Sequence, residues 1–151
     1  ARLLATLRFG DGGFGQTETP LLPLPEGAHA ERLARAVEAD DAFCRLPVWN
    51  GAPAETGALA RRAADPLVKE IAARFGQSVL TRFVARLREL VALVTGAARL
   101  RAGAAALGGG RGLGWVENAR GLLVHVATIA EGRVTRYRIL APTEWNFHPR
   151  G

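Results

Sequence analysis

At 151 residues and 48% hydrophobic composition, the chain can bury roughly 70% of the surface its unfolded form exposes, which is enough for one compact core and sets one domain as the expectation. A net charge of +6 and a pI near 11.1 would suit a nucleic-acid surface, but Lys69 is the single lysine and the arginines are scattered among glutamates instead of forming a tract. Nucleic acid is therefore excluded as the expected partner, a basic face toward an acidic protein is kept, and no apolar run reaches the ~20 residues that membrane insertion needs.

Residues Arg2 to Phe9 alternate as a strand would and lead into Gly10-Asp11-Gly12-Gly13-Phe14-Gly15. That run matches the dinucleotide fingerprint GxGxxG formally, but the fingerprint requires a helix directly after the glycines, and Pro20, Pro23 and Pro25 follow. A glycine turn is expected. The opening residues lack the apolar core of a signal peptide, and the absence of methionine leads us to expect a fragment of a longer product.

Glu26 to Ala39 has helical spacing, with Leu33, Ala36 and Val37 on one face. Phe43 to Val48 reads as a short strand or extended link. Cys44 is the only cysteine, which excludes an internal disulfide and a paired-thiolate metal site, fits a reducing cytoplasm, and reads best as a small buried apolar residue. A helix is expected from Pro53 and Glu55 through Ala63, and another from Pro66 to Phe75, closed by Gly76.

The strongest periodicity runs from Gln77 to about Leu100, where Leu80, Phe83, Val84, Leu87, Leu90, Val91 and Val94 recur three and four residues apart. It predicts a helix whose apolar face meets the core and whose arginines face water. Ala104 to Gly114 reads as a flexible glycine-rich connection, because it lacks the lysine and hydroxyl of a P-loop. Gly121 to Ala130 and Arg133 to Ala141 read as a hairpin around Glu131-Gly132, and the chain turns irregular from Pro142. The sum is an α+β fold, a helical middle with a long amphipathic helix packed on a small C-terminal antiparallel sheet.

His29, His125 and His148 are isolated, Ser78 is the only serine, and no pattern of metal ligands or nucleophile and base is present. Two blocks carry a family resemblance instead. Trp49-Asn50-Gly51-Ala52-Pro53-Ala54-Glu55-Thr56-Gly57-Ala58-Leu59-Ala60-Arg61 is one. The other begins at Gly114-Trp115-Val116-Glu117-Asn118-Ala119-Arg120-Gly121, continues through Glu131-Gly132 and Tyr137, and ends in Pro142-Thr143-Glu144-Trp145-Asn146-Phe147-His148-Pro149-Arg150. In order and spacing these resemble the large subunit of nickel-iron hydrogenases over about residues 45–150.

The resemblance implies part of that subunit's fold, and it assigns Arg120 and Thr143 to positions that donate hydrogen bonds to the cyanide ligands of the active-site iron. A metal-bound cyanide keeps a partly anionic nitrogen, which a guanidinium and a hydroxyl satisfy with charge-assisted bonds. Ala119 stands where the family usually has proline. Read without the family, Arg120 would pair with Glu117 and Thr143 would be an ordinary turn residue.

The two CxxC pairs that hold nickel and iron in hydrogenases do not occur in these residues. The combination resembles the shortened hydrogenase-like accessory proteins of the HupK type. It implies a maturation factor with no cofactor bound by this chain alone, a transiently carried iron-dicyano-carbonyl unit, and as partners a hydrogenase large-subunit precursor and the iron-cyanide assembly proteins. Two other readings are a fragment of a catalytic large subunit with its cysteines elsewhere, and a basic interaction module that docks through arginines.

Overall fold

The computed structural model describes residues 12–150, so the strand expected over Arg2–Phe9 and the first two residues of the glycine run lie outside it. The chain divides into two compact units: residues 21–57 with 100–150, which contain the sheet, and residues 12–20 with 58–99, which are helical. The architecture is α+β, as the sequence implies.

In the sheet unit, helix α1 (Ala28–Ala39) buries Ala30, Leu33, Ala34 and Val37, the three- and four-residue spacing of one apolar stripe. A single 3-10 turn follows at Asp41–Cys44, so Phe43 and Cys44, expected to open a short strand or extended link, are helical instead; Asp40 caps the turn by accepting the Ala42 N–H at 2.8 Å. Four antiparallel strands then run in sequence order: β1 (Ala102–Gly108), β2 (Arg111–Asn118), β3 (Gly121–Ala130) and β4 (Arg133–Leu140). One sheet face carries Leu113, Trp115, Leu122, Val124, Val126 and Leu140 into a core shared with the α1 stripe, Trp49 and Trp145. The helix that covers the sheet within this unit is thus α1.

The hairpin β3–β4 turns at Glu131 and Gly132, both with positive φ, as a two-residue primed turn requires. The glycine-rich stretch expected as a loop is instead strand β1 and the start of β2, joined by Gly109 and Gly110 with φ of 58° and 73°. Alanine and glycine have little strand propensity, so the pairing comes from tertiary context. Gly103 sits opposite Trp115, where a Cβ would lie 2.8 Å from the indole ring; the missing side chain makes room for the aromatic. Helix α5 (Pro142–Asn146) begins where the sequence looked irregular, with Pro142 in its first turn and Trp145 buried edge-on to Phe43.

In the helical unit, α2 (Ala58–Arg62) is shorter than the helix expected from Pro53, because Gly57 takes a φ of 122° that ends the preceding extended segment. Asp65 caps α3 (Pro66–Phe75), accepting from Leu67 N–H at 3.0 Å, and Gly76 closes it. Ser78 caps α4 (Val79–Val94) by accepting from the Thr81 N–H, while the Thr81 hydroxyl donates to Gly76 O at 2.6 Å. Gly12 packs against the Phe75 ring, and the glycine turn expected here is a turn, with no nucleotide-binding helix following it.

Helix α4 bears out half of the sequence reading: Arg86 and Arg88 are exposed as expected, but the apolar stripe is not the buried face. Its buried residues are Thr81, Ala85 and Glu89, and Phe83, Leu87, Leu90, Val91 and Val94 are exposed. What draws the polar stripe inward is a paired charge: Glu89 accepts two hydrogen bonds from Arg61 of α2, at 2.5 Å from Nε and 2.8 Å from the Nη2 nitrogen, with both side chains about nine-tenths buried. A forked, two-bond geometry is what allows such a pair to survive desolvation. No helix among the described residues is long and apolar enough to cross a membrane.

Two outcomes follow from these ion pairs. Arg61→Ala, which strands the Glu89 carboxylate, should lower stability by about 3–5 kcal/mol in urea unfolding, whereas Arg61→Met with Glu89→Leu should recover most of that loss. In the sheet unit, Arg111 bridges Glu31 and Glu38 at 3.0 Å each, and hydrogen bonds from Arg35 and then Arg111 hold the Glu31 carboxyl below its usual range. A depressed folded pKa contributes stability that is present above the unfolded value, about 4.3 for Glu, and lost as pH falls through the folded value. The stability difference between wild type and Arg111→Met should therefore be complete at pH 6 and shrink as pH drops below about 4.

Candidate functional site

The turn between β2 and β3 is as short as a hairpin allows. Asn118 pairs with Gly121, leaving Ala119 and Arg120 as a two-residue loop. The Asn118 side chain closes it by accepting the Arg120 N–H at 2.8 Å, an Asx turn. Arg120 is thereby lifted to the tip and is exposed. Among the described residues its guanidinium makes no ion pair or hydrogen bond. The expected pairing with Glu117 does not form, because Glu117 is buried and its carboxylate accepts the Arg101 N–H at 2.8 Å.

Thr143 occupies the second position of α5 and is half-buried. The sheet and α5 meet beside it. A Cβ built on Gly121, whose φ is 134°, would lie 3.1 Å from Pro142 Cβ and 2.5 Å from Thr56 Cγ2. Only glycine permits that approach. The structure therefore brings the backbones of Arg120 and Thr143 to one corner, each next in sequence to one of two residues, Gly121 and Pro142, between which a Cβ would have no room.

Two residues to which sequence reasoning gave no role assemble this corner. Asn146, one helical turn after Thr143, donates from Nδ2 to the Arg120 carbonyl at 2.9 Å and accepts the Thr56 N–H on Oδ1 at 2.9 Å. Thr56 Oγ1 accepts the Leu122 N–H at 3.0 Å. Both residues lie inside the family-like blocks, so their positions were visible; the signal lacking was any mark that segments 26 to 90 residues apart would meet.

Other titratable groups are dispersed. His29 stands edge-on to Trp49, His125 shares a 2.5 Å hydrogen bond with the Tyr137 hydroxyl on the outer face of the sheet, and buried His148 accepts the Arg150 N–H on Nδ1. Burial pushes the Cys44 thiol up, which disfavours the thiolate. Among the described residues no three His, Cys, Asp or Glu side chains are grouped to hold a metal. The corner thus joins the backbone of exposed Arg120 to the helix that carries half-buried Thr143; a guanidinium and a hydroxyl are both hydrogen-bond donors suited to an anionic or electron-rich acceptor.

The family profile described as nickel-dependent hydrogenase matches residues 58–151, which include both Arg120 and Thr143. The hydrogenase expression/formation protein HoxV of Cupriavidus necator is 38% identical over 148 residues, 87% of this chain and 37% of its own length. The hydrogenase expression/formation protein HupK of Rhizobium leguminosarum bv. viciae is 41% identical over 140 residues, 85% of this chain and 36% of its own. The hydrogenase-1 large chain of Escherichia coli is 45% identical over 40 residues, 26% of this chain and 7% of its own. The chain thus spans little more than a third of the length of the formation proteins it matches. The profile matches more than half of the chain, which belongs to the nickel-dependent hydrogenase family.

Proposed function

We propose that the protein of which these residues are part acts in the maturation of a nickel-iron hydrogenase, handling the iron-dicyano-carbonyl unit as cargo before the large-subunit precursor receives it. One observation carries the reading: the Arg120 guanidinium, free of partners among the described residues, stands at the same corner as Thr143 on a sequence whose only cysteine is Cys44. The donors fit the cargo. Each cyanide nitrogen is an electron-rich acceptor, and a charged planar donor and a hydroxyl carried on two elements that meet at one corner suit two such ligands on an iron. Thiolates that would hold the iron itself come, in this reading, from outside these residues or from an iron-cyanide assembly partner. The names of the HoxV and HupK relatives support the same role, and a cytoplasmic site of action suits it.

A catalytic large subunit with its metal-binding cysteines elsewhere is the second reading, favoured by the 40-residue match to a hydrogenase large chain. The full gene sequence separates the two: CxxC pairs in both flanks would support the enzyme and remove the accessory role.

The maturation reading is tested by infrared spectroscopy of the full-length protein, purified without oxygen from cells making hydrogenase. Metal-bound cyanide and carbonyl bands are expected in the wild type and should weaken at least tenfold in Arg120→Ala, since a charge-assisted hydrogen bond contributes about 1.5–3 kcal/mol. Thr143→Val should give a smaller loss. Wild type without such bands under inducing conditions would overturn the reading.

A further inference from the structure

We infer that Asn146 and Thr56 are positioning residues for Arg120, fixing the direction in which its guanidinium is presented. The inference rests on the cargo reading for its purpose but on geometry for its substance. A two-residue hairpin tip is a place where a long side chain would otherwise sweep a wide volume. Here the tip is held from both sides: Asn118 takes the Arg120 N–H, and Asn146 gives its Nδ2–H to the Arg120 carbonyl. The next anchoring point is Leu122, whose N–H is taken by Thr56 Oγ1, and between the two Gly121 is wedged against Thr56 and Pro142. Every main-chain polar contact just named is made by a side chain from a different stretch of sequence or by the Asx turn.

The Asn146 amide is used at both ends, which fixes its orientation. Rotated by half a turn, it would set Nδ2 against the Thr56 N–H and Oδ1 against the Arg120 carbonyl, two repulsive contacts in place of two bonds. Aspartate keeps the acceptor for Thr56 and loses the donor to Arg120. Asn146 also lies three residues after Thr143, on the same side of the α5 turn, so one amide sets the Arg120 backbone relative to the element that carries the Thr143 hydroxyl. Because Asn146 is itself exposed, its loss should leave the fold intact and show up in order and alignment.

Two readouts on the full-length protein test this. The first is the backbone NMR order parameter at Arg120 and Gly121. It should lie near about 0.85 in wild type, fall below about 0.6 in Asn146→Asp and in Thr56→Val, and return in Thr56→Ser, which keeps Oγ. The second is the cyanide infrared pattern, which should change in Asn146→Asp toward that of Arg120→Ala, with melting temperature and circular dichroism confirming the fold. Unchanged order at the tip in folded Asn146→Asp would overturn the inference. Bands altered by Arg120→Ala but identical to wild type in Asn146→Asp would also overturn it, leaving the cargo reading in place. Order lost in Asn146→Asp while the wild type carries no bands would support the positioning role and reject the cargo reading alone.

Discussion

The sheet unit depends on one close approach, that of the Thr56–Gly57 backbone to Arg120–Gly121. Gly121 makes the room for it, and Gly57 supplies the φ of 122° with which the chain turns there. A Cβ on Gly57 would lie 3.4 Å from the Arg120 carbonyl oxygen, and one on Gly121 would collide with Thr56. Once the strands are that close, three main-chain groups are left outside any helix or ladder: the N–H groups of Thr56 and Leu122 and the carbonyl of Arg120. A buried backbone group without a partner costs about 1–3 kcal/mol, which applies to the buried Leu122 N–H that Thr56 accepts and less to the part-buried Thr56 N–H, while the exposed Arg120 carbonyl gains order from Asn146 and not protection from desolvation. Trp145, buried and edge-on to Phe43, then holds α5 in the position from which Asn146 reaches the tip.

How much of this could be read in advance varied with where the determining force lies. Helices α1 and α3 and the β3–β4 hairpin are set locally, by apolar spacing, by Asp65 and Gly76 as caps, and by Glu131-Gly132 as a turn, and each was legible. Strand β1 was not. Its sequence, Ala-Gly-Ala-Ala-Ala-Leu-Gly, prefers no extended structure; it is a strand through its pairing with β2, where Gly103 leaves the room that the Trp115 ring occupies. At the candidate site the motif pointed to Arg120 and Thr143, while the residues that hold them in one corner are ordinary polar side chains whose partners are remote in sequence.

Helix α4 shows a different limit. Periodicity reports that a helix has two faces, and convention assigns the apolar one to the core. Here the forked pair between Arg61 and Glu89 and the buried Ser78 and Thr81 turn the polar stripe inward, and the stripe of Phe83, Leu87, Leu90 and Val94 lies open. A contiguous exposed stripe of this kind is uncommon on a self-sufficient monomer. The relatives HoxV and HupK are each more than twice as long as the matching region, so the pattern of one helix need not be satisfied within the residues that carry it.

The two halves of the proposed chemistry are separable for a structural reason. Holding a metal requires several converging thiolates, contributed by side chains that must be brought together by the whole of a large fold. Presenting donors to ligands already on the metal requires much less: one tight turn, one helical turn and the amide that ties them. All of those parts lie within residues 56–146 of the sheet unit, and none involves a cysteine. A chain could lose every metal-binding cysteine without disturbing Arg120, because no bond that shapes its turn passes through a thiolate site. On the reading proposed above, the turn that carries Arg120 and the helix that carries Thr143 form a unit whose geometry is set without any thiolate, so that metal holding and ligand recognition are separate structural tasks.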